Sequence, residues 1–193
     1  MILPPEIYGS FSMTKTQSRE QLARRIVDAA RITGTFLLRS GATSDVYFDK
    51  YRFEAIPDLL KEISGHLAEL VPEGTERLIG LEMGGIPLAT ALSLETGLKS
   101  GFCRKKPKEY GTAQQIEGGV KPGEAVTIIE DVITSGGAAI DAIHALRMMG
   151  IDILALICVV DREAGGEEKF RELGVDFRPL FKRSFLDSFS EDK

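Results

Sequence analysis

Residues 126–137, VTIIEDVITSGG, decide how the chain is read. Val126, Ile128 and Ile129 have the β-branched, apolar character of a buried strand. They run straight into a carboxylate pair, Glu130 and Asp131. Thr134, Ser135, Gly136 and Gly137 then form a short turn that opens a helix, GGAAIDAIHALRMMG, closed by Gly150. Strand, polar turn and helix in that order are the repeating unit of a parallel α/β sheet. In open sheets of that kind ligands bind beyond the carboxyl ends of the strands, where the reading puts both acids.

Carboxylates repel phosphate, whereas the backbone N–H groups at a helix start attract it. One ligand wants both within eight residues, a sugar phosphate: the acids bind ribose hydroxyls and the turn holds the 5′-phosphate. Two glycines remove side chains that would block close backbone approach, and Thr134 and Ser135 add hydroxyl donors. Successive strand residues point to opposite sides, so Glu130 and Asp131 need not share one job. Alone, Asp131 could simply end a strand and Ser135 could simply cap a helix, but the complete string favours the ligand. Competing nucleotide motifs are missing, with no GxxxxGK[ST] and no G-x-G in the chain.

Outward from this junction, helices and strands alternate. SREQLARRIVDAARI repeats Leu22, Ile26, Ala29 and Ala30 at helical spacing, with Ser18 placed to cap it. TFLLRSGATSDVYFDKYRF reads as a hairpin turning near Gly41. PDLLKEISGHLAELV is an amphipathic helix, RLIGLEM a short buried strand, and GGIPLATALSLETG the next helix, with Pro87 suited to its first position. LKSGFCRK and AVTIIE are strands. ILALICVVD is apolar enough to be covered on both faces. GGEEKFRELG is helical, VDFRPLFKR is a final strand, and SFLDSFSEDK is a frayed or lightly docked tail. This order predicts an α/β fold, a central parallel sheet flanked by helices. Residues 1–193 form one domain with a small N-terminal hood over about residues 1–55. The long polar segment 106–123 has no pattern of its own and reads as a lid.

The bulk numbers are those of a soluble globular protein. The chain has 193 residues, 43% hydrophobic and 27% charged, enough for one full core. A net charge of −5 excludes the chain as a whole from nucleic-acid binding. No apolar run approaches the ~20 residues of a membrane helix. The start, MILPPEIYGSFSM, lacks the basic and apolar regions of a signal peptide. Cys103 and Cys158 both lie in apolar strand contexts, which fits free thiols and a cytoplasmic location. His66 and His144 sit far apart in helical patterns as packing or surface residues, and no zinc site is expected. Met148 and Met149 are expected to fill the core at a helix end.

Four cations, Arg104, Lys105, Lys106 and Lys108, fall within five residues of an otherwise acidic chain and precede Tyr110 and Gly111. Cations on a mobile loop suit a multiply charged ligand that must be enclosed and released, such as a diphosphate leaving group. Closure would exclude water from a reactive sugar cation, and the lysines would neutralise charge on the departing group.

Residues 126–138 resemble the phosphoribosyl-diphosphate (PRPP) motif of type I phosphoribosyltransferases throughout, with Glu130 where many relatives carry Asp. The resemblance implies the type I phosphoribosyltransferase fold. It also implies that Glu130, Asp131, Val132, Ile133, Thr134, Ser135, Gly136, Gly137 and Ala138 surround PRPP, the acids on the 2′- and 3′-hydroxyls. Arg-Lys-x-x-Lys-x-Tyr-Gly-Thr, over 104–112, is similar to the catalytic loop of orotate phosphoribosyltransferases. By that likeness Arg104, Lys105, Lys108 and Tyr110 contact the diphosphate or the transition state. Lys108 is then the catalytic lysine, and the flexible loop, about 104–119, reaches into the neighbouring subunit's site of a homodimer. Phe36, Leu38, Ser40, Gly41, Ser44, Tyr47 and Asp49 match the family's N-terminal signature. This implies an orotate pocket lined by Tyr47 and Phe48, with Arg39 where Lys is common. Arg162, past another strand end, takes the place of the family's arginine for the orotate carboxylate, a fork suited to that task. Thr134 is similarly placed to meet both substrates. Gly84 and Gly85 match the family's glycine loop. Some members carry Lys where this chain has Gly84, which leaves backbone N–H groups for the diphosphate.

The implied activity is transfer of the 5-phosphoribosyl group from PRPP to orotate, giving orotidine 5′-monophosphate and diphosphate in pyrimidine synthesis. Lys108, Asp131 and Glu130 carry the chemistry. Mg²⁺ is the implied cofactor, held mainly by substrate oxygens and water, with the acids anchoring the ribose directly or, in the case of Asp131, through that ion. The alternatives are a phosphoribosyltransferase for another base, which would not need Arg162, and a PRPP-binding regulator without catalysis.

Overall fold

The structure is a computed structural model that describes residues 18–37, 41, 43–106 and 115–189. Fifteen elements follow in chain order among them. The N-terminal part comprises α1 (Arg19–Ala30), β1 (Arg31–Leu37), β2 (Thr43–Phe48), α2 (Lys50–Glu54) and α3 (Pro57–Ala68). Then come β3 (Arg77–Leu81), α4 (Gly85–Thr96), β4 (Lys99–Cys103), β5 (Ile116–Glu117), β6 (Ala125–Ile133) and α5 (Gly137–Met148). The chain closes with β7 (Asp152–Asp161), α6 (Gly166–Glu172), β8 (Phe177–Lys182) and α7 (Arg183–Asp187).

The main sheet runs β5-β4-β3-β6-β7-β8. Strands β4, β3, β6, β7 and β8 are parallel, so the doubly wound order 2-1-3-4-5 is present, with its reversal between β3 and β6. The central sheet is parallel as expected, with one antiparallel strand added at its edge. Phe102 and Cys103 pair antiparallel with Glu117 and Ile116, so β5 closes the edge from inside the segment read as patternless. Two residues are too few to show a period of two in sequence.

Alternation along the strands divides the core. Leu78, Ile129, Ala155, Ile157 and Val159 face α1, α3 and α4. Ile79, Val126, Ile128, Leu156 and Cys158 face α5 and α6. Burial on both faces explains the unbroken apolar run of β7. Both cysteines are free and buried. Among the described residues no helix is long and apolar enough to cross a membrane.

Four local expectations shift. Ser18 caps α1 through a capping box as expected, but the helix stops at Ala30 and the hairpin begins at Arg31. The hairpin also ends sooner, because Asp49 accepts from the Tyr51 amide at 3.2 Å and starts α2. Pro87 is the third residue of α4, after Gly85 and Ile86. Met148 is 90% exposed, whereas Met149 packs on the core. The tail docks as α7, with Leu186 buried and Phe185 stacked on Phe181 at 5.8 Å between ring centroids.

Candidate active site

The topological reversal puts the ends of β3 and β6 side by side, and this is where the acids lie. Strand β6 does not stop at them, however. It continues to Ile133 because β7 still pairs it there, Val132 with Val160 and Ile133 with Asp161, after β3 has left at Ile129. Glu130 and Asp131 therefore sit on rigid strand backbone rather than in a loop. Asp131 is fully buried and Glu130 is 7% exposed.

The acids belong to a cluster that includes two residues the sequence reading passed over. The Lys50 ammonium lies 2.8 Å from Oδ2 and 3.1 Å from Oδ1 of Asp131. Oδ1 also accepts from the Val132 amide at 2.6 Å. Glu54, one turn after Lys50 on α2, is 8% exposed, and its Oε1 has no hydrogen-bond partner among the described residues. Burial first, then the charge of Asp131, pushes the Glu54 carboxyl up to about 8. Burial and then a hydrogen bond with Asp131 raise Glu130 well above the ordinary carboxylate range. Burial alone would raise Asp131 too, but its hydrogen bonds with Glu130 and Lys50 outweigh that and hold it below. Lys50 is raised, its partnership with Asp131 overcoming the opposing effect of burial. The shifts oppose one another across the cluster: Asp131 is held toward its anionic form facing the Lys50 cation, and the two neighbouring glutamates are pushed toward their protonated forms.

Gly84 makes the cluster possible. Its backbone is ordinary right-handed helical, φ −70° and ψ −28°, so the need is for space. A Cβ there would fall 1.9 Å from Oδ2 of Asp131 and 2.9 Å from Oε1 of Glu54. The same loop holds a cis peptide bond between Glu82 and Met83.

Beyond Ile133 the turn opens outward. Thr134, Ser135, Gly137 and Ala138 are exposed. Gly136 is the N-cap residue of α5 in a left-handed conformation, φ 77°, and no side chain caps the helix. Ser135 does not spend its hydroxyl on that task, and the first amides of α5 stay open to a ligand. The carbonyl of Ser135 accepts from Lys169 Nζ at 2.9 Å, which steadies the turn.

The basic loop leaves from a closed stem. The Arg104 amide donates to Gln115 O at 2.8 Å, Gln115 Nε2 returns a bond to Arg104 O at 3.1 Å, and Arg104 Nε pairs with Glu117 at 2.9 Å. The Lys105 amide donates to Glu82 Oε2 at 2.8 Å, which ties the stem to the glycine loop. Lys108 and Tyr110 lie outside the described residues, as does Arg39.

On the other flank, the Arg162 amide donates to Ile133 O at 2.8 Å, so Arg162 and Thr134 leave neighbouring strand ends together. The Arg162 side chain is exposed. Tyr47 is 45% exposed with its ring 5.4 Å from Phe36, while Phe48 turns toward the core, 6.4 Å from Phe53. A signal for Lys50 and Glu54 was present: Asp49 as a helix cap, then an i, i+4 pair beside an apolar anchor, Phe53. The aromatic residues around them read as strand instead.

A family model described as a phosphoribosyl transferase domain matches residues 49–176. An orotate phosphoribosyltransferase of Nocardioides sp. is 45% identical over 170 residues, covering 88% of this chain and 95% of that one. Another, from Methanocella arvoryzae, is 46% identical over 153 residues, covering 79% and 87%. A crystal structure of Mycobacterium tuberculosis H37Rv orotate phosphoribosyltransferase in complex with 5-phospho-alpha-D-ribosyl 1-diphosphate superposes with a TM-score of 0.76 at 26% identity, covering 88% of this chain and 98% of that one. Sheet order, the acid pair at its reversal and these likenesses agree: the chain belongs to the phosphoribosyl transferase domain family, among the orotate phosphoribosyltransferases.

Proposed function

We propose that this chain transfers the 5-phosphoribosyl group of PRPP to orotate, releasing diphosphate and forming orotidine 5′-monophosphate. One observation carries the assignment of the donor site. A rigid strand delivers two acids, and the next residues open the uncapped start of α5, all at the reversal of the sheet. That junction puts acids suited to hydroxyls and amides suited to a phosphate within nine residues of each other, Glu130 to Ala138, which supports a sugar phosphate as the ligand.

Asp131, kept anionic beside Lys50, and Glu130 accept and donate hydrogen bonds at the ribose hydroxyls. The amides of residues 134–138 hold the 5′-phosphate. As the bond from C1 to diphosphate lengthens, positive charge grows on the ring and negative charge on the leaving group. Lys108, with Arg104, Lys105 and Tyr110, meets that negative charge when the loop closes. Gly84 and Gly85 offer backbone amides to the same group. Orotate N1 attacks C1 from the opposite face, its carboxylate on Arg162, with Thr134 between the substrates and Tyr47, Phe48 and Arg39 at the pyrimidine.

Among the described residues no three His, Cys, Asp or Glu side chains gather as a metal cage. The carboxylates that are present fit an ion carried in by the donor's own oxygens, and Asp131, the acid kept toward its anionic form, is the residue that would hold it. Mg²⁺ in that position would neutralise the diphosphate as it leaves. We take the working form as a homodimer with loop 104–119 shared between copies, and the cytoplasm as its compartment.

The test is a base panel: purified chain, PRPP and Mg²⁺ with orotate, uracil or hypoxanthine. Orotidine 5′-monophosphate from orotate alone is expected. Turnover of uracil at a similar rate would overturn the assignment of the base.

A further inference from the structure

The loop between β3 and α4, residues 82–85, carries Glu82, Met83, Gly84 and Gly85 and no cation. Helix α4 starts there without a side-chain cap; the Ile86 amide donates to Met83 O at 3.2 Å and Pro87 has no N–H, which leaves the Gly85 amide in the first turn for an acceptor. Two basic residues nevertheless border this loop. On one side the main chain of Lys105 is bonded to Glu82. On the other stands Lys50, bonded to the carboxylate that touches Gly84.

Lys50 is brought there by the hood. Phe53, fully buried, anchors α2 in the core. Asp49 fixes the start of that helix. Within the Lys50–Asp131 pair, Asp131 is fully buried while the Lys50 side chain is 34% exposed. The member that can meet a ligand first is therefore the lysine. An ammonium has three donors; Oδ1 of Asp131 takes one of them at 3.1 Å, while Oδ2 at 2.8 Å is an ion-pair contact.

We propose that Lys50 is a binding residue for the diphosphate end of the sugar donor, held in place by Asp131. It shares that group with the Gly85 amide at the start of α4 and supplies the cation that the glycine loop lacks. This rests on the donor site described under the proposed function. It adds a contact from the hood to a subsite otherwise built from the loop between β3 and α4 and from the basic loop.

The experiment is calorimetric titration of the full chain, in Mg²⁺, with inorganic diphosphate and with ribose 5-phosphate separately. Lys50→Met should weaken diphosphate roughly tenfold, the worth of one charge-assisted hydrogen bond, and weaken ribose 5-phosphate by a clearly smaller factor, the part transmitted through Asp131. Lys50→Arg should recover most of the loss. Lys50→Gln, which keeps the polarity of the surface, should behave like Lys50→Met. Unchanged diphosphate binding in Lys50→Met and Lys50→Gln would overturn the proposal and leave the ion pair a purely structural one. Weakening confined to ribose 5-phosphate would overturn it as well, because Lys50 would then act only by aiming Asp131. If the parent chain bound neither ligand, the donor site itself would fall and this inference with it.

Discussion

Glu163 accepts two hydrogen bonds from Ser184, from its amide at 2.7 Å and from its hydroxyl at 3.1 Å. Glu163 is the one non-glycine residue with positive φ among the described residues, at 55°, and its own amide donates to Asp161 Oδ1 at 2.9 Å. A left-handed conformation at a non-glycine residue is uncommon and costs of order 1 kcal/mol. Here the C-terminal segment holds it, and it directly follows Arg162. Glu163→Ala should therefore raise KM for orotate about fivefold, a partial loss of one aimed charge-assisted contact, with KM for PRPP nearly constant. Steady-state kinetics with each substrate varied decides. Equal changes in both constants would detach this clamp from the base.

Gly136 has no tolerance for a side chain. Its φ is 77°, and a Cβ would come within 2.6 Å of the Phe170 ring. Gly136→Ala should cost about 2 kcal/mol of stability and weaken PRPP by shifting the first amides of α5. Urea denaturation and PRPP titration of the variant measure both effects. Parent-like stability would mean that the turn relaxes freely.

Arg77 fastens the far end of the sheet. Its guanidinium bonds Glu124 at 2.9 Å, Gly118 O at 2.6 Å and Ser100 O at 3.2 Å, from a buried position. Arg77→Ala takes the donor from the part-buried Glu124 carboxylate and from two backbone carbonyls and should cost about 2 kcal/mol. Burial alone would raise Glu124, but the Lys121 amide and then Arg77 outweigh it and lower its carboxyl. A depressed carboxyl stabilises the fold above its unfolded value, near 4.5, and that contribution disappears as pH falls through the folded value. Glu124→Gln should accordingly flatten the loss of stability between about pH 5 and 3. Unfolding curves across that range test the sign.

Most of this architecture was legible because burial on both sheet faces leaves an apolar strand signal, and because Gly97, Gly150 and Gly174 punctuate the helices. The acid pair stood out for the same reason, as charges at the end of an apolar run. That contrast also misled. The acids suggested a strand end, whereas pairing with β7 carries β6 to Ile133. Lys50 and Glu54 escaped notice because their role is set by tertiary approach. Nothing within residues 49–54 says that Asp131, some 80 positions later, lies within ion-pair reach. Strand β5 was hidden because its pairing partner, not its composition, makes it a strand.

The shared loop can be tested by complementation. Lys108→Ala and Asp131→Asn chains, each inactive alone, are unfolded and refolded together. If the loop crosses between copies, half of the random dimers are hybrids with one intact site of two, and about a quarter of parental activity should return. No recovery, in a mixture shown by mass to contain hybrids, would place loop and acids in the same copy.

The account depends most on the sugar phosphate seating itself between Glu130–Asp131 and the start of α5. Amide NMR spectra of the chain titrated with ribose 5-phosphate report this directly. Saturable shifts concentrated at residues 134–138 are expected, and they should vanish in Asp131→Asn at the same ligand concentration. Saturation with those amides silent and shifts gathered elsewhere would contradict it.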